Sequence, residues 1–154
     1  VEMAYNMIKT NAQFDFITSE LTEIIDQTTA FIIVDDLDHL VKGGRLSNGA
    51  AMIGNLLNIK PILRFDEEGK IVVYEKIRTS KKAFKRLYKI LAENTKDRDY
   101  KVYVIHSNIP EKAHEVAEEL TSKGFDVSIA SFGAVIGTHL GEGALGFGMS
   151  PKLK

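Results

Sequence analysis

Five consecutive apolar residues, Ala30-Phe31-Ile32-Ile33-Val34, end abruptly at Asp35-Asp36. A run this short and this rich in β-branched residues reads as a strand buried on both faces. Such a strand needs a packed layer on each side. Upstream, residues 2–10 read as a helix, and Asn11 as the cap of a second one that runs to about Thr28. Phe14, Ile17, Leu21, Ile24 and Ile25 share one face of it, with Glu20, Glu23 and Asp26 toward water. Downstream, Pro61–Phe65 and Lys70–Arg78 flank the polar loop Asp66-Glu67-Glu68-Gly69 as a β-hairpin. Thr79 or Ser80 then caps a helix to about Glu93, with Ala83, Phe84, Leu87, Tyr88 and Leu91 inside and Lys81, Lys82, Lys85, Arg86 and Lys89 outside. Tyr100–Ile105 is a strand, Pro110 opens a helix that closes at Lys123-Gly124, and Phe125–Ser131 is a further strand. A short helix through Val135 and Ile136 and a last strand over Ala144–Met149 complete the pattern. The expected fold is α/β of the α+β type, a mixed, largely antiparallel sheet covered by helices.

Several function classes drop out early. The formal net charge of −1 gives no field to gather nucleic acid, and no apolar run approaches the roughly 18 residues of a membrane span. With no cysteine in 154 residues there are no thiolate metal sites or thiol nucleophiles, and a reducing, cytoplasmic setting is expected. Asp35 and Asp36 are adjacent at a strand end, so their side chains diverge; capping of a short helix over Leu37–Val41 is the favoured reading. His106 and Ser107 are likewise sequence neighbours, which is no basis for a nucleophile and its base. No catalytic residue and no metal ligand is assigned.

Two glycine-rich stretches remain as candidates for chemistry. Gly133-Ala134-Val135-Ile136-Gly137-Thr138-His139-Leu140-Gly141-Glu142-Gly143 places one imidazole among small and apolar neighbours, where glycines permit close backbone approach and the ring can donate to an anion. Lys42-Gly43-Gly44-Arg45-Leu46-Ser47 is a flexible loop between cations, with Ser47 able to cap the next helix. It lacks the order of a nucleotide-binding P-loop. Residues 48–58 read as a helix apolar over most of its circumference, with Ala50 and Gly54 leaving room on one face for another backbone or an apolar ligand.

Lys42–Ser47, Leu57-Asn58-Ile59-Lys60-Pro61-Ile62-Leu63, Lys76-Ile77-Arg78-Thr79 and Ile136–Gly143 occur in the order and rough spacing of the DegV family of bacterial fatty-acid-binding proteins, which this chain resembles over nearly its whole length. The resemblance is to the second half of a family member. It implies a helical segment over 1–29 leading in from a missing N-terminal domain, and a C-terminal, lipid-binding DegV-like domain over 30–154. It also implies a carrier and not an enzyme, with no cofactor; from the residues alone the alternatives are an enzyme acting on a small anionic substrate with His139 as base, or a protein-interaction module. A long-chain fatty acid would lie in an apolar tunnel, its carboxylate held by His139 together with hydroxyls of the missing domain. The implied ligand-binding residues are His139, Thr138, Gly137, Gly141, Gly143, Arg45 and Ser47. Arg45 and Arg78 would face a fatty-acid kinase that phosphorylates the bound carboxylate, and transient contact with a membrane surface is compatible with this role. Most members have a proline where this chain has Glu142.

Overall fold

The computed structural model describes residues 1–46, 59–95 and 99–152; the helix expected over 48–58 and the capping role of Ser47 lie outside them. Among the described residues the elements in chain order are α1 (Glu2–Lys9), α2 (Phe14–Gln27), β1 (Thr29–Ile33), α3 (Asp38–Lys42), β2 (Ile62–Phe65), β3 (Ile71–Glu75), α4 (Ser80–Asn94), β4 (Tyr100–His106), α5 (Pro110–Ser122), β5 (Asp126–Ser131), α6 (Ala134–Leu140) and β6 (Leu145–Pro151). The strands form one six-stranded sheet in the order β3-β2-β1-β6-β4-β5. Only β4 and β5 pair in parallel; every other neighbour is antiparallel. The mixed, largely antiparallel sheet agrees with the expectation.

The sheet carries an apolar cluster on each face, as the run at 30–34 requires. Alternate side chains of a strand point to opposite sides. Thus Phe31 and Ile33 join Val102, Val104, Leu145, Phe147 and Met149 beneath α4 and α5, while Ile32 and Val34 join Leu63, Leu40 of α3 and Leu140 of α6 on the other side. Phe147 is fully buried and meets the ring of Phe84 edge-on, with centroids 6.2 Å apart.

Local chemistry explains most boundaries. Thr79 caps α4, its Oγ1 accepting from the Lys82 N–H, and Gly124 ends α5 with a φ of +91°. The cap position of α3 is held by Leu37 without a side-chain cap bond, contrary to the expectation; Asp36, one residue earlier, accepts from the Asp38 N–H at 2.8 Å. Asn11 does not cap α2. It sits at φ 58° and donates its N–H to the Ile8 carbonyl, so it terminates α1, a conformation asparagine tolerates better than most residues; Gln13 holds the cap position of α2. The apolar face of α2 is also narrower than expected. Ile17 and Ile24 are buried, but Phe14 and Ile25 are 77% and 68% exposed, because residues seven apart form a thin stripe along a helix. On α4, Lys81, Lys82, Lys85 and Lys89 are exposed as expected. Arg86 is not, since its Nε donates to Glu75 on β3 at 2.7 Å.

Two measurements test this packing. Phe147→Ala removes a fully buried ring and is expected to lower stability by about 3–5 kcal/mol, read from urea denaturation. The second concerns Tyr88, whose phenol is half-buried and donates to Glu119 at 2.9 Å; burial first, and then that bond, hold its pKa well above the ordinary value. The unfolded chain therefore releases this proton first. The stability difference between wild type and Tyr88→Phe should fall as pH rises past about 10, and a difference independent of pH would contradict the assignment.

Candidate ligand-binding cavity

The last strand builds the site. Leu145-Gly146-Phe147-Gly148-Met149 alternates a large side chain with none, so β6 fills the α4–α5 side of the sheet and leaves the other side bare. Register places Gly148 beside Ala30 and Gly146 beside Ile32 on β1, and Gly146 beside Ile105 on β4. Above this floor lies a cavity of about 420 Å³, within the range of roughly 300–1,000 Å³ typical of small-molecule sites. Phe65, Ile71 and Phe132 wall it, and Val135, Ile136, His139 and Leu140 of α6 cover it. Phe65, Val135 and Ile136 are 45%, 76% and 52% exposed, so the cavity has an apolar rim. His139 and Arg45 are the two ionisable side chains on its described wall.

Close approach of two loops brings that pair together. Gly141, at φ +77°, ends α6, and a Cβ there would meet the ring of His39 at 2.6 Å. At Gly143, φ +84°, a Cβ would lie 2.5 Å from the Asp35 carboxylate. These two glycines are required both by backbone conformation and by contact. In return, the His139 ring from α6 packs on Gly43 of the loop after α3. Arg45, exposed, donates from Nη1 to the Gly43 carbonyl at 3.2 Å.

Each residue singled out from the sequence can now be placed. His139 and Arg45 share the cavity wall. Gly137, Thr138, Gly141 and Gly143 do not line it; Thr138 turns its hydroxyl back to the Ala134 carbonyl at 2.8 Å, Gly137 lies within α6, and Gly141 and Gly143 shape the turn that follows this helix. Arg78 is exposed between Ile77, whose carbonyl accepts from the Lys60 N–H, and the α4 cap Thr79. Ser47 lies outside the described residues. Glu142 is absent from the wall and accepts from Asn108 Nδ2 at 3.0 Å. Sequence reading missed the floor itself, Ala30, Gly146 and Gly148, and the wall residues Phe65, Ile71, Ile105 and Phe132. The strict alternation of glycine with large apolar residues at 145–149 was the available signal. Among the described residues no cluster of His, Asp or Glu has the arrangement of a metal site.

An apolar cavity that carries one imidazole and one guanidinium on its described wall is thus cut into one face of a mixed sheet. Residues 1–152 match the family described as "Uncharacterised protein, DegV family", and the chain belongs to the DegV family. A DegV domain-containing protein of Streptococcus pyogenes serotype M1 is 61% identical over 142 residues, covering 91% of this chain and 50% of its own length. The crystal structure of a fatty acid binding DegV family protein from Streptococcus agalactiae superposes with a TM-score of 0.92 at 52% identity, over 99% of this chain and 55% of that one. DegV of Bacillus subtilis, described as a fatty acid binding protein, gives 0.84 at 46% identity, over 97% and 54%. The chain thus spans about half the length of the relatives it matches.

The two floor glycines are predicted to differ. A Cβ at Gly148 would rest 3.6 Å from that of Tyr103, an ordinary contact, whereas one at Gly146 would meet the Phe132 ring at 2.6 Å. Gly146→Ala should therefore displace Phe132 and lower stability by about 1–3 kcal/mol, with Gly148→Ala costing less in the same thermal melt.

Proposed function

We propose that this chain is the C-terminal, acyl-chain-holding half of a fatty-acid carrier. The observation that carries the reading is the cavity itself: apolar throughout its described wall except for one imidazole and one guanidinium. A long acyl chain needs that combination, since each buried methylene contributes about 0.8 kcal/mol and a few polar groups at one end fix its orientation. A hydrogen bond to a charged group adds about 1.5–3 kcal/mol, so the hydrocarbon supplies most of the affinity. His139 and Arg45 hold the carboxylate from this half. Thr138, Gly137, Gly141 and Gly143 support the turn around His139, Ser47 lies nearby in sequence, and hydroxyls of an N-terminal domain complete the head-group site.

Relatives at 52% and 46% identity are described as fatty acid binding, which supports the ligand class. The bound carboxylate is then presented to a fatty-acid kinase in the cytoplasm for conversion to an acyl phosphate, with Arg45 and exposed Arg78 facing the kinase. Carriage is favoured over acid/base chemistry because the described wall offers His139 no carboxylate partner.

Organic extraction of the full-length protein followed by mass spectrometry should release a long-chain fatty acid. Consistent absence of fatty acid, with no uptake of added oleate, would overturn the proposal. For His139→Ala, oleate affinity should fall by about tenfold, and acyl-phosphate formation with the kinase should fall further, since orientation depends on the head-group contacts more than affinity does.

A further inference from the structure

We propose that Gly43 is the positioning residue for the carboxylate site, setting both His139 and Arg45; this rests on the carrier reading above. The backbone does not call for glycine here. Gly43 has φ −76° and ψ −3°, a helical conformation open to every L-residue. What calls for glycine is space: a Cβ would stand 2.5 Å from His139 Nδ1, 3.3 Å from its Cε1 and 2.9 Å from the His39 carbonyl. The next residue shows the opposite logic. Gly44 has φ +64° and nothing within 4 Å of its Cβ position, so it serves the turn and not a neighbour.

The same residue reaches the second polar group of the wall, because its carbonyl accepts from Arg45 Nη1 at 3.2 Å. One side of Gly43 seats the imidazole and its carbonyl steadies the guanidinium. With the Nδ1 edge against the loop, Nε2 is the ring nitrogen left to donate toward the cavity. A methyl group at 43 displaces the ring from that seat without altering the apolar floor. Its effect therefore falls on recognition of the head group and leaves the acyl chain's contribution in place.

The test follows the His139 ring by NMR in the wild-type chain, Gly43→Ala and Gly44→Ala, the last adding backbone strain away from the imidazole. The ring resonances of His139 should move in Gly43→Ala and stay in Gly44→Ala; unmoved signals in Gly43→Ala overturn the proposal. In the full-length protein, the preference for oleate over oleyl alcohol should fall by about tenfold in Gly43→Ala and no further than in His139→Ala when the two are combined. A full additional loss in the double variant overturns the coupling. A wild-type protein with no preference for the acid would sink the carrier reading, while the His139 signals still decide the role of Gly43. If Gly43→Ala does not fold, the double variant, lacking the imidazole, should; failure of both overturns the proposal.

Discussion

The antiparallel seating of β6 between β1 and β4 is the constraint on which the rest of the molecule depends. The last described strand in sequence is a central strand in space, so the sheet is complete only when residues 145–151 have paired with both 29–33 and 100–106. Its alternation of large residues and glycines assigns opposite tasks to the two faces. Leu145, Phe147 and Met149 supply buried bulk under α4 and α5, and burial of such side chains contributes about 1.5–3 kcal/mol each. Gly146 and Gly148 supply none; the Phe132 ring takes the place over Gly146, and both glycines remain on the wall of the cavity. A one-residue slip in register would exchange the two faces, putting Phe147 into the cavity and glycine into the core. Stability and ligand space are therefore set by the same pairing.

The cavity then needs a cover that brings polar groups to one place without filling it. Two short elements, α3 and α6, do this by interlocking through glycines. His39 lies on Gly141, Asp35 on Gly143 and the His139 ring on Gly43. Neither helix spans more than seven residues, too short to be stable through its own hydrogen bonds. Tertiary contact must hold both, and that contact is made where the polar wall residues emerge. Buried Leu40 and Leu140 anchor the two helices to the sheet from beneath.

Much of the fold was legible because it rests on periodicity and punctuation. The run at 30–34, the hairpin around Asp66–Gly69 and the Pro-first, Gly-last helix from 110 are local signals that tertiary packing reinforces. Asn11 was misread because a cap and a left-handed terminator draw on the same residue types, and only the backbone dihedral separates them. The α2 face was drawn too wide because periodicity shows which residues share a side, not how far the sheet reaches beneath them. At the site, His139 and the Lys42–Ser47 loop were visible as unusual composition. Their meeting was not, since nothing local records that Gly43 and His139, ninety-six positions apart, share one space. The cavity floor was hidden for a related reason: glycine in a strand signals close approach in general, and which neighbour approaches is settled by the sheet order.

The electrostatics of the cavity end depend as much on where carboxylates are held as on where cations stand. Three acidic residues lie on the loops that build it, and each is engaged elsewhere. Asp35 accepts from Lys60 Nζ at 3.0 Å, Asp36 from the Asp38 N–H, and Glu142 from Asn108. These bonds are exposed and individually weak, but their effect is directional, keeping negative charge off a wall whose ionisable groups are His139 and Arg45. Coulomb interaction at a half-buried site has an effective dielectric near 20, so a unit charge at about 4 Å is worth about 4 kcal/mol. A carboxylate turned inward would offset a large part of the positive potential that Arg45 brings to the wall. Glu142, next to the glycine that ends α6, is absent from the described wall and gives its carboxylate to Asn108 instead.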